Sequence, residues 1–314
     1  MFFKSFFVCF LISSFAFANY AWIPKYQNLR LRLSGDYFRS SSNFTEDAER
    51  SGFLSNGQAA QLSEYEFALQ SEYGFAKDWS ASIKLPFRNS FIQGIDSGYD
   101  TTYLSAFGIG DTTISVKWLV KPGDTRLAIE AISSIPFYST SNFASDEMAL
   151  GDGTFTTGFK LHGGYLMNGL LSFAFSPGVL FKFQGYSSQF TLDTAIGIAH
   201  KPVYFRVFSD LGISLGGESI STSTVSNPAF GSGGSFGKLS TSPNLWTLGL
   251  LGGIFFYEQY RLELYGSQSI TGNRAADGYR FGVAFATSFD FYKEEKKIQV
   301  KELPFDAEPT PERP

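Results

Sequence analysis

The sequence predicts an all-β protein, and specifically a transmembrane antiparallel up-and-down β-barrel of about 12 strands. Its strand-like segments carry charged residues on one face, and Leu, Ile, Val and aromatic residues on the other, as in 29–33 and 65–70. Side chains alternate across a strand with period two. The pattern therefore fits either a soluble sandwich with its apolar face inward or a membrane barrel with that face outward. An export signal and connections of alternating length favour the barrel.

Residues 1–18 are predicted to be a secretory signal peptide. Lys4 supplies a positive start, residues 6–17 form an apolar run, and Ala16-Phe17-Ala18 is a small-x-small cleavage signal. The apolar run is shorter than the roughly 20 residues of a membrane-spanning helix. The single cysteine, Cys9, lies inside this segment. We therefore expect neither a disulfide framework nor a cysteine metal site in the mature chain.

The composition also fits an exported barrel. Aromatic residues make up 18% of the chain and charged residues only 17%, which is below the usual quarter. The formal net charge of −4 shows no basic excess, so nucleic acid is not an expected partner. No cofactor is predicted.

Twelve strands are predicted between residues 28 and 291, and most reach the 9–11 residues that a tilted barrel strand needs. Their approximate spans are 28–39, 63–75, 79–88, 109–120, 125–135, 154–166, 170–184, 189–200, 203–216, 244–257, 260–270 and 278–291. Connections after odd-numbered strands are mostly long, notably 40–62, 89–108, 136–153 and 217–243, whereas those after even-numbered strands are tight turns. This alternation is typical of bacterial outer-membrane barrels. It places both termini in the periplasm, with 19–27 as a short periplasmic segment.

The outward faces of the predicted strands are apolar. Leu69, Phe175 and Phe285 lie on faces without a charged residue, where Arg or Lys would cost roughly 2–4 kcal/mol at mid-bilayer. Pro177 lies within a strand and cannot donate to the ladder, so a β-bulge is expected there. Aromatic residues near strand ends are expected to form interfacial girdles. These residues are Trp79, Trp118, Trp246, Tyr260 and Tyr279.

The inward faces carry charges of both signs, and these residues are the predicted pore lining. They are Arg30, Arg32, Glu64, Glu66, Glu72, Lys84, Arg88, Lys117, Arg126, Glu130, Lys160, His162, Lys182, Asp193, Arg206, Asp210, Arg261, Glu263 and Arg280. Asp290 shares this face. One interpretation is a polar pore wall, and the other is a set of ion pairs across the lumen that plug the barrel. A barrel of twelve strands is narrower than the 16–18-stranded porins.

Two adjacent predicted strands contribute a cluster of opposite charges. Arg30 and Arg32 lie on the first strand, and Glu64 and Glu66 lie on the second. The two carboxylates are about 7 Å apart by strand rise. We expect the four side chains to face one another as ion pairs rather than the two glutamates to act as an acid and base.

Residues 292–314 are predicted to be a disordered periplasmic tail. Residues 293–297 are all charged, and 304–314 are rich in proline and acidic residues. Such a composition cannot bury a core. The tail is a candidate for contact with the cell wall or a periplasmic partner, and Phe291 is expected to close the barrel before it.

Several hairpin and turn segments carry a family resemblance. They are Glu72-Tyr73-Gly74-Phe75-Ala76-Lys77-Asp78-Trp79, Lys84-Leu85-Pro86-Phe87, Gly108-Ile109-Gly110-Asp111-Thr112-Thr113 and Val116-Lys117-Trp118. Over roughly residues 60–290, the chain resembles the Gram-negative outer-membrane transporter family associated with the meta-cleavage pathway of phenol degradation. The resemblance implies a barrel that passes small molecules, with aromatic or apolar ones as candidates. It implies no catalytic residue, and Phe137-Tyr138 departs from the small residues of that family.

Enzyme motifs are weak in this chain. Residues 233–237 match the G-x-S-x-G pattern, but the required strand before it and helix after it are not predicted. His162 faces the predicted lumen, and Ser172 and Ser176 lie on the next strand without a fixed register. A hydrolase that uses His162 is therefore an alternative, but the chain is predicted not to be an enzyme.

The expected function is passive passage of small solutes through an outer-membrane channel or transporter. The alternative from another class is a structural or surface barrel with a plugged lumen, whose long extracellular loops bind a partner. The loop 217–243 is a candidate lid over the pore mouth. Expected partners are outer-membrane lipid, lipopolysaccharide, the barrel-assembly machinery and a small-molecule solute.

Overall fold

The computed structural model describes most of the predicted barrel. The described residues are 21–44, 50–51, 60–95, 101–137, 150–151, 153–183, 186–216, 244–257, 259–273 and 275–291. The predicted signal peptide, the predicted tail, the predicted lid and most of the loop 136–153 lie outside them. Fourteen strands occur in the described part of the chain. They are β1 (Asn28–Phe44), β2 (Arg50–Ser51), β3 (Ala60–Ala76), β4 (Trp79–Ile95), β5 (Thr101–Ile109), β6 (Thr112–Lys121), β7 (Thr125–Ile135), β8 (Thr156–Met167), β9 (Leu171–Lys182), β10 (Gln189–His200), β11 (Val203–Ser214), β12 (Asn244–Phe256), β13 (Tyr260–Asn273) and β14 (Ala275–Asp290).

Twelve of these strands form a closed antiparallel ring, which confirms the predicted fold class. Each ring strand pairs with the next along the chain, in the order β1, β3, β4 and β6 to β14. β14 then pairs with β1, from Asn28 opposite Asp290 to Phe44 opposite Ala275. β2 pairs only with the end of β1, and β5 pairs only with β4 outside the ring.

Short and long connections alternate around the ring. At the end where β1 begins and β14 ends, named here the N-terminal rim, strands are joined by short turns such as 77–78 and 201–202. At the opposite end, the distal rim, the connections include 136–155 and 215–243. β13 and β14 are an exception, since only one residue separates them there.

Five strands extend further toward the distal rim than predicted: β1, β3 and β4, and also β13 and β14 by three residues each. β1, β3 and β4 each have 17 residues, whereas β6 has 10. The predicted connections 40–62 and 89–108 were therefore too long. Where a strand extends beyond the apolar band, water meets both of its faces, and the period-two pattern that reveals a strand in the sequence fades.

The predicted strand 109–120 is divided in the structure. β4 pairs with β6 up to Lys84 opposite Thr113, and with β5 from Phe87 opposite Ile109. The chain leaves the ladder between these two strands, where the Gly110 backbone N–H donates to the Pro86 carbonyl at 2.9 Å. Only β6 belongs to the ring, so β5 is an extension of the wall above it.

The β-bulge expected at Pro177 is absent, and that prediction is wrong. Pro177 lies opposite Leu192 in an unshifted register with β10. On its other side the β8–β9 register is also unshifted, but the pairs between Lys160–Gly178 and Gly163–Phe175 are missing. The strand thus accommodates the missing N–H by omitting local pairs on one side rather than by inserting a residue.

The outer surface of the ring is apolar. Phe175 is 48% exposed, Leu250 52% and Phe281 61%, whereas the alternating residues face inward. Trp79 and Trp118 stack near the N-terminal rim with ring centroids 5.7 Å apart. This is the reverse of a soluble barrel, which keeps large apolar side chains inside. Among the described residues, no helix is long and apolar enough to cross a membrane.

We predict that Leu250→Arg destabilises the barrel in lipid by roughly 2–4 kcal/mol, because Leu250 lies outward at the middle of β12. Thr247→Arg is the matched control, since it faces inward opposite Asp210 and can pair with that carboxylate. Urea unfolding of vesicle-reconstituted protein measures both free energies. Equal losses for the two variants would contradict the outward assignment.

Candidate functional site in the barrel lumen

The 19 side chains predicted as pore lining all lie on inward faces of the ring strands, where they alternate with exposed apolar residues. Eight of them are buried despite their polarity. These are Arg30, Glu64, Glu66, Lys117, Glu130, His162, Arg261 and Glu263. Buried charges need partners, so the pairing of these groups determines how much of the lumen they fill.

Glu66 is the centre of one ion-pair group. Its two oxygens accept from Lys84 Nζ at 2.7 Å and from Arg88 Nε at 2.6 Å. Arg88 also donates to the Leu150 carbonyl at 2.6 Å, which ties the distal connection to the wall. Lys84 and Arg88 lie on β4, next to Glu66 on β3. This group therefore runs along the wall and does not cross the lumen.

Other ion pairs follow the same rule. Lys117 on β6 reaches Glu72 on β3 at 3.5 Å, and Lys160 on β8 reaches Asp193 on β10 at 2.7 Å. Each pair joins strands that are separated by a single strand in the ring. Pairs of this kind leave the middle of the barrel open, unlike the predicted alternative of ion pairs across the lumen.

The prediction that four side chains face one another as ion pairs is wrong; these are Arg30, Arg32, Glu64 and Glu66. Arg30 lies opposite Glu72 in register and approaches it at 3.8 Å. Arg32 reaches Glu263 at 3.1 Å, on the other side of the ring closure. Glu64 is instead 3.7 Å from Arg280, while Glu66 bonds to β4. The reason is the register between β1 and β3, which places the arginines near the N-terminal rim and the two glutamates further toward the distal rim.

His162 joins Ser176 and Glu130 in a hydrogen-bonded chain. Its Nδ1 is 2.7 Å from Ser176 Oγ, and its Nε2 is 2.8 Å from Glu130 Oε2. These distances resemble those of a hydrolase triad. However, Ser176 is 0% exposed, so no acyl group can reach its hydroxyl. These three hydrogen-bonded side chains therefore link β7, β8 and β9 as a structural element of the wall. Ser172 is not one of them.

A central cavity of about 400 Å³ lies among these charges. Its lining comes from eight of the twelve ring strands, so it is part of the lumen rather than a recess in one wall. Its charged lining side chains are Arg32, Glu72, Lys84, Lys117, Glu130, Lys160, Asp193 and Asp210. Asp193 and Asp210 lie directly opposite each other on neighbouring strands. The cavity thus offers polar and charged contacts of both signs to a small solute.

Residues 21–27 fold into the barrel at the N-terminal rim. Trp22 is 2% exposed, and it packs against Leu166, Ala195 and Ala199. The backbone of Gln27 donates to the Gly74 carbonyl at 2.7 Å. The segment was predicted to lie in the periplasm before the barrel; the described part of it occupies the lumen near the rim and narrows it.

Aromatic rings on the inward faces lie flat against the wall because the opposite residue is glycine. The pairs, each in register across neighbouring strands, are Tyr204 over Gly253, Phe208 over Gly249 and Tyr265 over Gly282. A Cβ at any of these glycines would collide with the ring. These rings therefore line the lumen without projecting across it.

Some inward residues were missed by the sequence analysis. Asp36 pairs with Arg280 at 3.1 Å, and Tyr204 donates to Glu263 at 2.6 Å. The same alternation that selected Arg32 and Arg206 also selects Asp36 and Tyr204. Nothing in the alternation could place Trp22, because it precedes the first strand.

No group of three or more His, Cys, Asp or Glu among the described residues could hold a metal ion. Most of the predicted lining charges are instead distributed around the wall as ion pairs.

Comparisons with known proteins identify the fold. No protein-family model and no curated protein matches the chain. The crystal structure of an outer membrane channel from Pseudomonas putida F1 matches with a TM-score of 0.64 at 8% identity, covering 87% of this chain and 98% of that one. The NanC porin matches with a TM-score of 0.48 at 10% identity, covering 82% and 98% of the two chains. A monoaromatic hydrocarbon channel, CymD, gives 0.44 at 7% identity, covering 85% and 90%. At 8% identity, the match to the Pseudomonas putida F1 channel establishes a shared fold only.

We predict that Glu66→Gln lowers the free energy of unfolding by roughly 3 kcal/mol, because it removes the shared acceptor of two cations and leaves Arg88 without its carboxylate. Asp78→Asn is the control, because it removes a carboxylate from a turn at the N-terminal rim. Urea titration followed by tryptophan fluorescence gives both values. Similar stability of the two variants would mean that the Glu66 group is not a stabilising element.

Proposed function

We propose that this protein is a narrow outer-membrane channel for passive passage of small solutes. One observation carries the proposal, namely a central cavity of about 400 Å³ lined from eight ring strands inside a barrel with an apolar exterior. An apolar exterior fits lipid, and a polar interior fits water and solute. A barrel with this exterior and this interior cavity would provide a route for solutes across a membrane.

The side-chain arrangement supports a route that is narrow rather than wide. Ion pairs run along the wall, aromatic rings lie flat on glycines, and Trp22 occupies the N-terminal rim. The volume of the cavity is suited to molecules of the size of a small metabolite. We infer that residues 21–27 close the rim at rest and that solute passage requires their displacement.

The similarity to solved structures is consistent with this proposal but limited to the fold. The Pseudomonas putida F1 protein is described as an outer membrane channel, and its barrel covers most of both chains. We extend the channel role to this chain as a proposal. The link to phenol degradation, the periplasmic position of both termini, and contact with lipopolysaccharide and the assembly machinery remain predictions.

A surface barrel that binds a partner through its distal connections is the second candidate. The observation that favours it is the packed segment at the N-terminal rim, where Trp22 is buried and Arg30 donates to the backbone carbonyls of Trp22 and Ile23. A rim that never opens would leave the lumen closed. Conductance separates this candidate from the channel.

We predict that Trp22→Ala raises the single-channel conductance of the purified mature protein in planar bilayers several-fold. The substitution removes the indole that fills part of the lumen at the N-terminal rim. Trp246→Ala is the matched control, since this residue lies on the outer face near the distal rim. Its conductance should equal that of the unmodified protein. If neither the unmodified protein nor Trp22→Ala conducts, the channel proposal fails and the surface barrel is favoured.

A further inference from the structure

The socket of Trp22 has the shape of a site for a planar ring. Leu166, Ala195 and Ala199 form its walls, with Ala174, Tyr204 and Phe208 beside them. Gly164 lies beneath the indole, and a Cβ at that position would approach the ring to 2.5 Å. Small residues on three strands thus leave a flat space that the indole fills.

Two arginines supply the polar part of the same site. Arg30 donates from Nη1 to the Trp22 carbonyl at 3.2 Å and from Nη2 to the Ile23 carbonyl at 3.1 Å. Arginine binds a carboxylate in the same way, with each terminal nitrogen of the guanidinium donating to one oxygen. Arg126 lies over the indole, 5.5 Å from its centroid. The segment therefore presents an aromatic ring and two oxygens to two cations.

The indole itself is not specifically recognised. Within the described part of the chain, Trp22 Nε1 has no hydrogen-bond partner although it is buried. A buried N–H gains from an acceptor, and no described residue supplies one that would select an indole over another planar ring. A benzene-type ring would fill the same apolar space without requiring an acceptor.

The surroundings favour an anion. Arg30, Arg126, Arg206 and Arg261 all lie within the first four residues of their strands, at the N-terminal rim. These four arginines, with Lys117 and Arg32, outnumber the carboxylates of the rim: Glu72 and Glu263 are each shared with Lys117 or Arg32, Asp124 interacts with Arg126, and Asp290 lies inward at the end of β14. Positive charge is thus in excess where Trp22 sits, which raises the local concentration of anionic solutes.

We propose that Trp22 and Ile23 occupy, as an internal stand-in, a binding site for a small aromatic carboxylate. The ring of the solute takes the place of the indole, and its carboxylate takes the place of the two backbone carbonyls on Arg30. This inference rests on the proposed channel function and names its solute class. A neutral aromatic would not replace the two carbonyl oxygens that Arg30 binds, and an aromatic amine would bring a cation next to Arg30 and Arg126.

The apparent affinity of the socket for a free solute depends on competition with residues 21–27, which are tethered to the barrel. A short linker gives the segment an effective concentration in the millimolar range. A free solute with the same intrinsic affinity for the socket must therefore reach a similar concentration to displace it. Weak binding of this kind suits passage, since a solute that binds tightly leaves slowly.

Tryptophan fluorescence of the mature protein in detergent tests the site directly. Sodium benzoate should shift the emission to longer wavelength, with saturation in the millimolar range, because Trp22 moves from the socket into water. Trp79, Trp118 and Trp246 lie on the outer face and should not respond, so Trp22→Phe should abolish the shift. Benzyl alcohol and benzylamine should produce little shift. Equal shifts with all three compounds, or none with benzoate, would overturn the proposal.

The selectivity of transport shows whether Arg30 binds the solute or only holds the N-terminal segment in place. Arg30→Gln removes the hydrogen bonds that hold the segment, so the chloride conductance of this variant should rise. Its permeability ratio of benzoate to benzylamine should nevertheless fall about tenfold, because one charge-assisted contact to the carboxylate is lost. Arg126→Gln should lower this ratio in the same direction. Lys121→Gln, an exposed charge at the same rim, is the matched control and should keep the ratio unchanged. A purely structural role of Arg30 predicts a higher conductance with an unchanged ratio, and that result would overturn the inference.

The two proposals fail in different ways. If Trp22→Ala conducts salt but passes benzoate and benzylamine equally, the channel stands and the aromatic carboxylate site is wrong. If no variant conducts, the channel proposal fails, and the fluorescence titration alone then decides whether the site binds an aromatic carboxylate.

Discussion

Hydrogen-bonded pairing of β14 with β1 closes the sheet, and the organisation of the wall follows from it. This pairing runs the length of β1, from Asn28 to Phe44. Without it, two strands would present unpaired N–H and C=O groups, which lipid cannot satisfy. Closure also encloses one face of every strand. The charged residues on that face then pair with each other, with inward hydroxyl groups, with the N-terminal segment and, for Arg88, with the Leu150 carbonyl of the distal connection.

The enclosed charges are arranged so that the lumen remains partly open. Lys84 and Arg88 meet Glu66 on a neighbouring strand, and Lys160 meets Asp193 two strands away. Because such pairs lie along the wall, the barrel gains local neutralisation of buried charge without a bridge through its centre. The N-terminal rim is different, since a peptide segment fills it and Arg30 binds backbone carbonyls there. The narrowing of the lumen at this rim thus depends mainly on a short segment rather than on the wall.

Period-two alternation made the fold predictable, because a ring strand in lipid must be apolar on one face throughout its membrane-embedded length. It gave the twelve-strand ring and the inward position of residues such as Glu66 and Arg206. It could not give which charges pair, because pairing depends on register, and Arg32 finds Glu263 across a closure that is distant in sequence. It also missed the ends of β1 and β4, where the alternation is lost: residues 40–43 are all polar, and Phe91 and Ile92 are adjacent apolar residues. The lumen position of Trp22 depends on tertiary packing, and no strand pattern extends to it.

The flat packing of Phe208 on Gly249 has a consequence for the bore of the barrel. The wall glycines, more than the rings, determine how wide the lumen is at that level. One methyl group added at position 249 would act as a wedge under a whole phenyl ring and swing it toward the barrel axis. The added carbon would also press on the Gly266 carbonyl of β13, 2.7 Å away, so a change of a single carbon would alter both the size limit for solutes and the local strand pairing far more than its own volume suggests.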